Sequence, residues 1–486
     1  MERRARTFTR ILAGAAIAVS GCGGASNSTS SPPPPPVHNE WTWISGADVV
    51  DQAGVYGKQG TPSSSNSPGA RAGASSWIDA SGNFWLFGGY GAGAVLSPTV
   101  FEGDLNDLWK YSNGEWTWVS GSDQTEQPGN YGSTGVGAPG NVPGARWFAT
   151  SWTDAAGNLW LFGGLGIDST STRGDLNDLW KFSNGEWTWM GGSKMAAQQG
   201  ISGAWQGTGI YGTQGVPSPY NFPGAREWAS GWTDTAGNLW LFGGEGTDSA
   251  GNLGYLNDLW KYSNGMWTWI AGSNLVDKLG VYGTLGNAAG GNTPGARVSS
   301  IAWTDKSGNL WLFGGEGDDA TGKGIGCATS PYVCELNDVW KFDGTHWTWM
   351  GGSNVTDQPG IYGTQGIAAS ANIPGARTDA VGWLDAEGNL WLFGGLGNDS
   401  AGSYGELGDL WKFSGGQWIW VNGPNTVNQI GSYGTLGTAA STNEPVCRHW
   451  AVGWTDQSGN LWLFGGFNQW TPPLNGQFND LWEYQP

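Results

Sequence analysis

The segment PGARWFATSWTDAAGNLWLFGG, residues 143–164, spells out two strands and the turn between them. Leu159-Trp160-Leu161-Phe162 is an unbroken apolar run, too short for a globular helix and closed by Gly163-Gly164. Such a run suits a strand buried on both faces. The residues ahead of it, Asp154-Ala155-Ala156-Gly157-Asn158, combine Asp, Gly and Asn, which favour a tight reversal. The strand before that turn follows Arg146 and runs to Trp152.

Working outward, the segment recurs six times. PGAR begins at Pro68, Pro143, Pro223, Pro294 and Pro374, and becomes PVCR at Pro445. The WLFGG tryptophans are Trp85, Trp160, Trp240, Trp311, Trp391 and Trp462. A third signature, LNDLW or a close variant, ends at Trp109, Trp180, Trp260, Trp340, Trp411 and Trp482. A fourth, WTW or WIW, begins at Trp41, Trp116, Trp187, Trp267, Trp347 and Trp418, with its two tryptophans on one face of a strand. Each unit therefore reads as four strands, a to d. The 87 Gly and 35 Trp fit this picture, since Gly supplies turns and Trp favours strands.

The order of the signatures fixes closure. The repeats begin with a lone WTW at Trp41 and end after strand c at Tyr484. Pairing 41–44 with 478–484 supplies the last unit's missing strand and removes an exposed sheet edge.

These marks resemble the kelch repeat: an Arg-led first strand, a second strand ending in Gly-Gly, then an aromatic and a Trp at fixed distances. The resemblance covers residues 41–486 and implies an all-β fold, a six-bladed kelch-type β-propeller whose last blade the N-terminal strand completes. Consecutive Gly-Gly pairs are 75, 80, 71, 80 and 71 residues apart, longer than the roughly 50 residues usual for such a repeat.

The added length sits on one face. The a–b and c–d turns never vary in length, whereas the b–c loops hold 15, 11, 11, 20, 11 and 11 residues and the d–a connections 24, 24, 33, 24, 24 and 24. Recognition usually lives on variable loops over a rigid frame. The d–a inserts share a G-x-Y-G core centred on Tyr56, Tyr131, Tyr211, Tyr282, Tyr362 and Tyr433, read as an ordered lobe plugging the blade rim.

Five Trp per blade leaves five over: Trp147, Trp205, Trp228, Trp450 and Trp470. All map to the variable face or to the start of strand a, and aromatics there suit sugar rings or a protein hot spot. Arg146, Arg226 and Arg448, with the other repeat arginines, are expected near the same mouth, where they either clamp a carboxylate or serve the fold. His449 is the one histidine that reaches this face; His38 precedes the repeats and His346 lies on the turn face. Loop acids Asp168, Asp248, Asp318, Asp319 and Asp399 lack EF-hand spacing.

No metal or cofactor is expected. Galactose oxidase, a kelch-like copper enzyme, uses a His- and Tyr-rich site that three histidines do not supply. A six-bladed kelch sialic-acid mutarotase is the nearer enzymatic likeness, with charged residues at the channel mouth; Arg448, His449 and Arg146 stand there.

The first residues are an address. Arg3, Arg4, Arg6 and Arg10 precede a short apolar run, Ile11 to Val19, and then Val19-Ser20-Gly21-Cys22. This resembles a bacterial lipobox, which implies a signal peptide over 1–21, cleavage before Cys22 and its acylation. Gly23 follows in place of a retention Asp, so the resemblance favours the outer membrane of the cell envelope. Residues 22–40 then form a Ser/Pro-rich tether. In an exported protein, Cys327 and Cys334 of the longest b–c loop are expected to pair, leaving Cys447 over. The net charge of −19 argues against nucleic acid.

The sequence thus predicts a non-catalytic, monomeric binding scaffold, held to the membrane only through its lipid, that takes a protein or glycan on its variable face. A carbohydrate-active enzyme such as a sugar mutarotase is the alternative.

Overall fold

The computed structural model describes residues 39–94, 102–197, 207–322 and 334–486. The chain divides into two units, Met1–Val37 and His38–Pro486. The first, with the expected signal peptide and Cys22, lies outside the described residues, as do Trp205 and Cys327. The described residues are strands, turns and loops without a helix, so none crosses a membrane as a helix.

The second unit is a six-bladed β-propeller. Each blade is an antiparallel sheet with strands in the order a-b-c-d. In blade 2 these are Thr150–Thr153, Leu159–Phe162, Leu179–Ser183 and Glu186–Gly191. Strand b of that blade is buried throughout, as its unbroken apolar run requires. The a strands beginning at Ser75, Thr150, Ser230, Ile301, Val381 and Val452 touch in a closed ring around the axis. In blade 6, strand Glu40–Ser45 pairs with Leu481–Gln485, with Trp41 opposite Tyr484 and Trp43 opposite Trp482.

Tryptophan staples fasten one blade to the next. The indole N–H of Trp77 donates to the carbonyl of Trp160 at 2.9 Å, and Trp152 to Trp240 at 2.9 Å. Trp232 and Trp383 repeat the bond to Trp311 and Trp462. Trp454 donates to Trp85 at 3.3 Å, fastening the last blade to the first. Trp303 breaks the series and stacks on Trp311 instead, at 5.5 Å.

Inside each blade the repeat residues meet at one carboxylate. Asp107 accepts both guanidinium N–H groups of Arg71 at 2.7 Å, the hydroxyl of Tyr56 at 2.6 Å and the indole of Trp109 at 2.7 Å. Asp178, Asp258, Asp338, Asp409 and Asp480 collect the same donors in the other blades. Of the two roles expected for the repeat arginines, the geometry supports the structural one. Arg146, Arg226 and Arg448 do not reach a ligand: each is 1% exposed, its remaining donors spent on backbone carbonyls such as those of Gly144 and Gly163.

The d–a inserts are ordered lobes, as the repeated Tyr implies. Each lies along the outer edge of strand d in the blade that follows. Gly135 N–H donates to the Trp189 carbonyl at 2.8 Å, and the Asn141 side chain to that of Trp187 at 3.1 Å. Asn66, Asn221, Asn292, Asn372 and Asn443 make the equivalent bond. The lobes thus cover backbone that would otherwise be an open edge.

Asp258→Ala strips a buried arginine of its partner and leaves two further donors unpaired, so it costs about 3–5 kcal/mol. Tyr211→Phe removes one hydrogen bond and costs about 1 kcal/mol. Urea unfolding of the two variants is expected to give that order.

Candidate functional site

The Gly-Gly pair ends the second strand at Phe162, as the sequence suggested, and re-aims the chain beyond it. Gly163 and Gly164 have φ of 67° and 92°, and a Cβ on either would lie 2.6 Å from a carbonyl oxygen, of Arg226 and Trp147 respectively. Beyond the kink the chain resumes as a short strand, Leu165–Ile167, between Arg146–Trp147 and Arg173–Asp175. Equivalent short ladders stand on the loop face of the other blades, and blade 4 runs on unbroken from Leu310 to Gly317.

These ladders put three side chains per blade on one row, and the rows differ from blade to blade. In order they read Ala72, Tyr90, Asp104; Trp147, Leu165, Asp175; Glu227, Glu245, Tyr255; Val298, Glu316, Glu335; Thr378, Leu396, Glu406; and His449, Phe467, Gln477. Side chains of neighbouring rows meet: Tyr90 packs on Trp147 at 5.2 Å, Tyr255 donates to Glu316 at 2.8 Å, and His449 Nδ1 lies 3.3 Å from Glu406.

The row is acidic, with seven carboxylates. Arg173 pairs with Asp104 at 2.9 Å. Glu227, Glu335 and Glu406 are buried, and each keeps one oxygen without a hydrogen bond. Burial, with Asp175 and Glu245 nearby, pushes the Glu227 carboxyl up to about 9. Burial and Glu316 raise Glu335 to about 8, although Tyr404 donates to it at 2.9 Å. Burial, Asp175 and Glu316 raise Glu245 to about 7.

Inside this row lies a narrower ring. The residue two after each repeat arginine is Gly73, Phe148, Trp228, Ser299, Asp379 or Trp450, and each has φ between 53° and 64°. Left-handed backbone is uncommon for bulky residues and is strained unless its surroundings impose it. Here the ring imposes it. Phe148 N–H donates to Gly73, Trp228 to Phe148, Ser299 to Trp228, Trp450 to Asp379, and Gly73 back to Trp450, at 2.8–3.1 Å. At the sixth junction the Asp379 carboxylate interacts with Ser299.

The aromatic members pack together. Phe148 stacks on Trp147 at 4.2 Å and meets Trp228 at 4.7 Å and Trp450 at 5.1 Å. Trp450 in turn contacts His449 at 4.3 Å and Phe467 at 6.1 Å. The indole N–H groups of Trp147 and Trp228 are buried without a hydrogen-bond partner, and the Trp450 indole faces the Asp379 carboxylate. The structure therefore gathers Trp147, Trp228, Trp450 and His449 at the channel mouth, as the sequence placed them. Trp470 stands further out, 40% exposed, edge-on to Tyr404 at 5.8 Å.

Other candidates are structural. Asp168, Asp248 and Asp399 cap their own loops, accepting from the second and fourth residues onward. Cys334 is disulfide-bonded, and Cys447 is a buried free thiol. Among the described residues no three His, Cys, Asp or Glu side chains group to hold a metal ion.

No family model matches this chain, and no curated protein matches it. Several solved structures are similar. One is YjhT, with 13% identity over 88% of this chain and 95% of that one, at a TM-score of 0.46. Another is a fungal alcohol oxidase of the AA5 family in complex with copper, with 12% identity over 89% of this chain and 77% of that one, at 0.44. A third is a protein of unknown function from Dyadobacter fermentans, with 10% identity over 92% and 98%, at 0.40. Likeness this distant carries nothing about ligand or activity.

Acids held above their usual range have a sign in pH. Glu227, Glu245 and Glu335 bind protons in the folded chain that the unfolded chain, with Glu near 4.5, has released. Their contribution is complete below about pH 4.5 and lost by about pH 9. The thermal midpoint is therefore expected to fall from pH 5 to pH 9, and Glu227→Gln to flatten that fall.

Proposed function

We propose that this chain is a non-catalytic binding scaffold of the bacterial envelope that holds a glycan at the channel mouth on its loop face. The observation that carries this reading is the aromatic platform of Trp147, Phe148, Trp228 and Trp450 at the channel mouth. Sugar rings present apolar C–H faces to aromatic rings and hydroxyls to polar edges. Carboxylates and tyrosine hydroxyls around the platform, Glu335 with Tyr404 and Glu316 with Tyr255, suit those hydroxyls. Where the pH is high enough for the carboxyls of the acidic row to ionise, a ligand carboxylate meets like charge, which disfavours an anionic sugar. A protein segment is the competing ligand, and a sugar-converting enzyme the competing activity. The latter draws on carboxyls that keep protons near neutrality, as Glu245 does at about 7.

We further propose the finer placement: a kelch-type repeat chain exported with its first 21 residues removed, anchored at acylated Cys22 in the outer membrane, with Cys327 and Cys334 joined. Cys22→Ala is expected to move the protein from the membrane to the soluble fraction, as read by fractionation and intact mass.

A glycan array with the purified full chain tests the ligand. Neutral or basic oligosaccharides are expected to bind, acidic ones not. Trp147→Ala is expected to weaken binding at least tenfold without changing the unfolding midpoint by more than a few degrees. Anomer exchange catalysed by the wild type, followed by NMR, would replace the scaffold with an enzyme.

A further inference from the structure

The inner ring borders an open depression of about 190 Å³. Phe148, Trp228 and Trp450 give it aromatic walls, Gly73 and Ser299 fill the gaps, and Asp379 is the one charged residue that lines it. Three aromatic rings around a carboxylate form the arrangement that favours an organic cation. The ring faces attract positive charge through their quadrupoles, and the carboxylate neutralises it. The cup is also preformed, since backbone hydrogen bonds hold its members in left-handed conformations that they would not otherwise adopt.

The surroundings reinforce the sign. Glu316 and the hydroxyls of Tyr255 and Tyr404 lie within electrostatic reach of Asp379, and His449 is the basic group facing it. Burial holds the Asp379 carboxyl above its usual range, against which His449 and the Ser299, Trp450 and Thr378 side chains favour its anion. Burial among neighbouring acids raises the cost of a negative charge at Asp379, and a ligand cation lowers it. Arg173, the basic side chain of the outer ladders here, is already spent on Asp104.

We propose that the cup formed by Phe148, Trp228, Trp450 and Asp379 is an ammonium subsite, so that the glycan bound at the mouth carries a free amino group. This rests on the glycan reading above, and it narrows the ligand to amino sugars that are not N-acetylated. Acetylation removes the charge and adds bulk, and thereby removes both sources of affinity.

Three oligosaccharides of equal length test it by calorimetry and tryptophan fluorescence: glucosamine, N-acetylglucosamine and glucose oligomers, with tetramethylammonium as a fourth probe. The glucosamine oligomer is expected to bind at least tenfold more tightly than the other two. Asp379→Asn is expected to abolish that preference, and the fold should accept it because Asn tolerates left-handed φ. Trp228→Phe keeps an aromatic wall but weakens the attraction, so it should cut glucosamine affinity several-fold. Equal binding of all three sugars, unaffected by Asp379→Asn, would overturn the ammonium subsite and leave the glycan reading standing. If no sugar binds, the glycan reading fails. Tetramethylammonium then decides the cup: binding that Asp379→Asn abolishes sustains it, and no binding ends it.

Discussion

Everything in this propeller depends on a carboxylate that cannot be left alone. Asp107 and its five counterparts are buried completely, and each collects four donors from three separate stretches of chain. The arginine comes from the start of strand a, the tyrosine from the preceding lobe, and the tryptophan from strand c. A buried anion is costly unless such donors converge on it, and the convergence fixes where those stretches lie. The inserts become part of the architecture for this reason. A lobe whose tyrosine is tied to strand c of the next blade lies along that blade's strand d, and its asparagine finds the carbonyls there.

That commitment has a consequence for function. The repeat spends its arginines on the fold, so the mouth of the channel takes its chemistry from positions that the repeat does not constrain. Those are the rows of the short ladders and the left-handed residues inside them. The outer rows are free to carry Asp, Glu, Tyr, Trp or His, and they do, with two carboxylates each in blades 3 and 4. The inner ring tolerates large side chains at positive φ only because each residue is clasped by its neighbour around the axis. Frame and site are thus separate in sequence and adjacent in space.

The frame was legible because it repeats. Six copies of Arg, Gly-Gly, Asp-Leu-Trp or Asp-Val-Trp, and Trp-Thr-Trp or Trp-Ile-Trp fix strand order, and Trp41 betrays the closure of the last blade. The tryptophans beyond the repeat led to the mouth, since Trp147, Trp228 and Trp450 stand out once five per blade are set aside. The same reasoning left the arginines between a ligand and the fold. Their place in the motif was plain, but their burial depends on an aspartate 32 to 41 residues away. The acids were missed for another reason. Glu227, Glu245, Glu316 and Glu335 occupy equivalent or adjacent rows only because the chain resumes as a strand after the Gly-Gly kink. No pattern of alternation marks a strand of two or three residues. Phe148 and Asp379 share no chemistry with Gly73 or Ser299, and only the left-handed backbone reveals them as one set.

The pairing of Glu40–Ser45 with Leu481–Gln485 sets a clock on folding. The first strand of the propeller to be synthesised takes as its partner the last. Until residue 485 is available, Trp41 has no strand to cover it, and until the two pair, strand c of blade 6 has a bare edge. Blades 1 to 5 are built from contiguous chain and can assemble in turn. Closing the circle joins residues more than four hundred positions apart, the most entropically demanding contact in the molecule. Throughout that interval the waiting strand fits the open edge of another copy as well as its own. Speed of closure, more than strength of any blade, decides whether six blades become one ring or two chains become entangled.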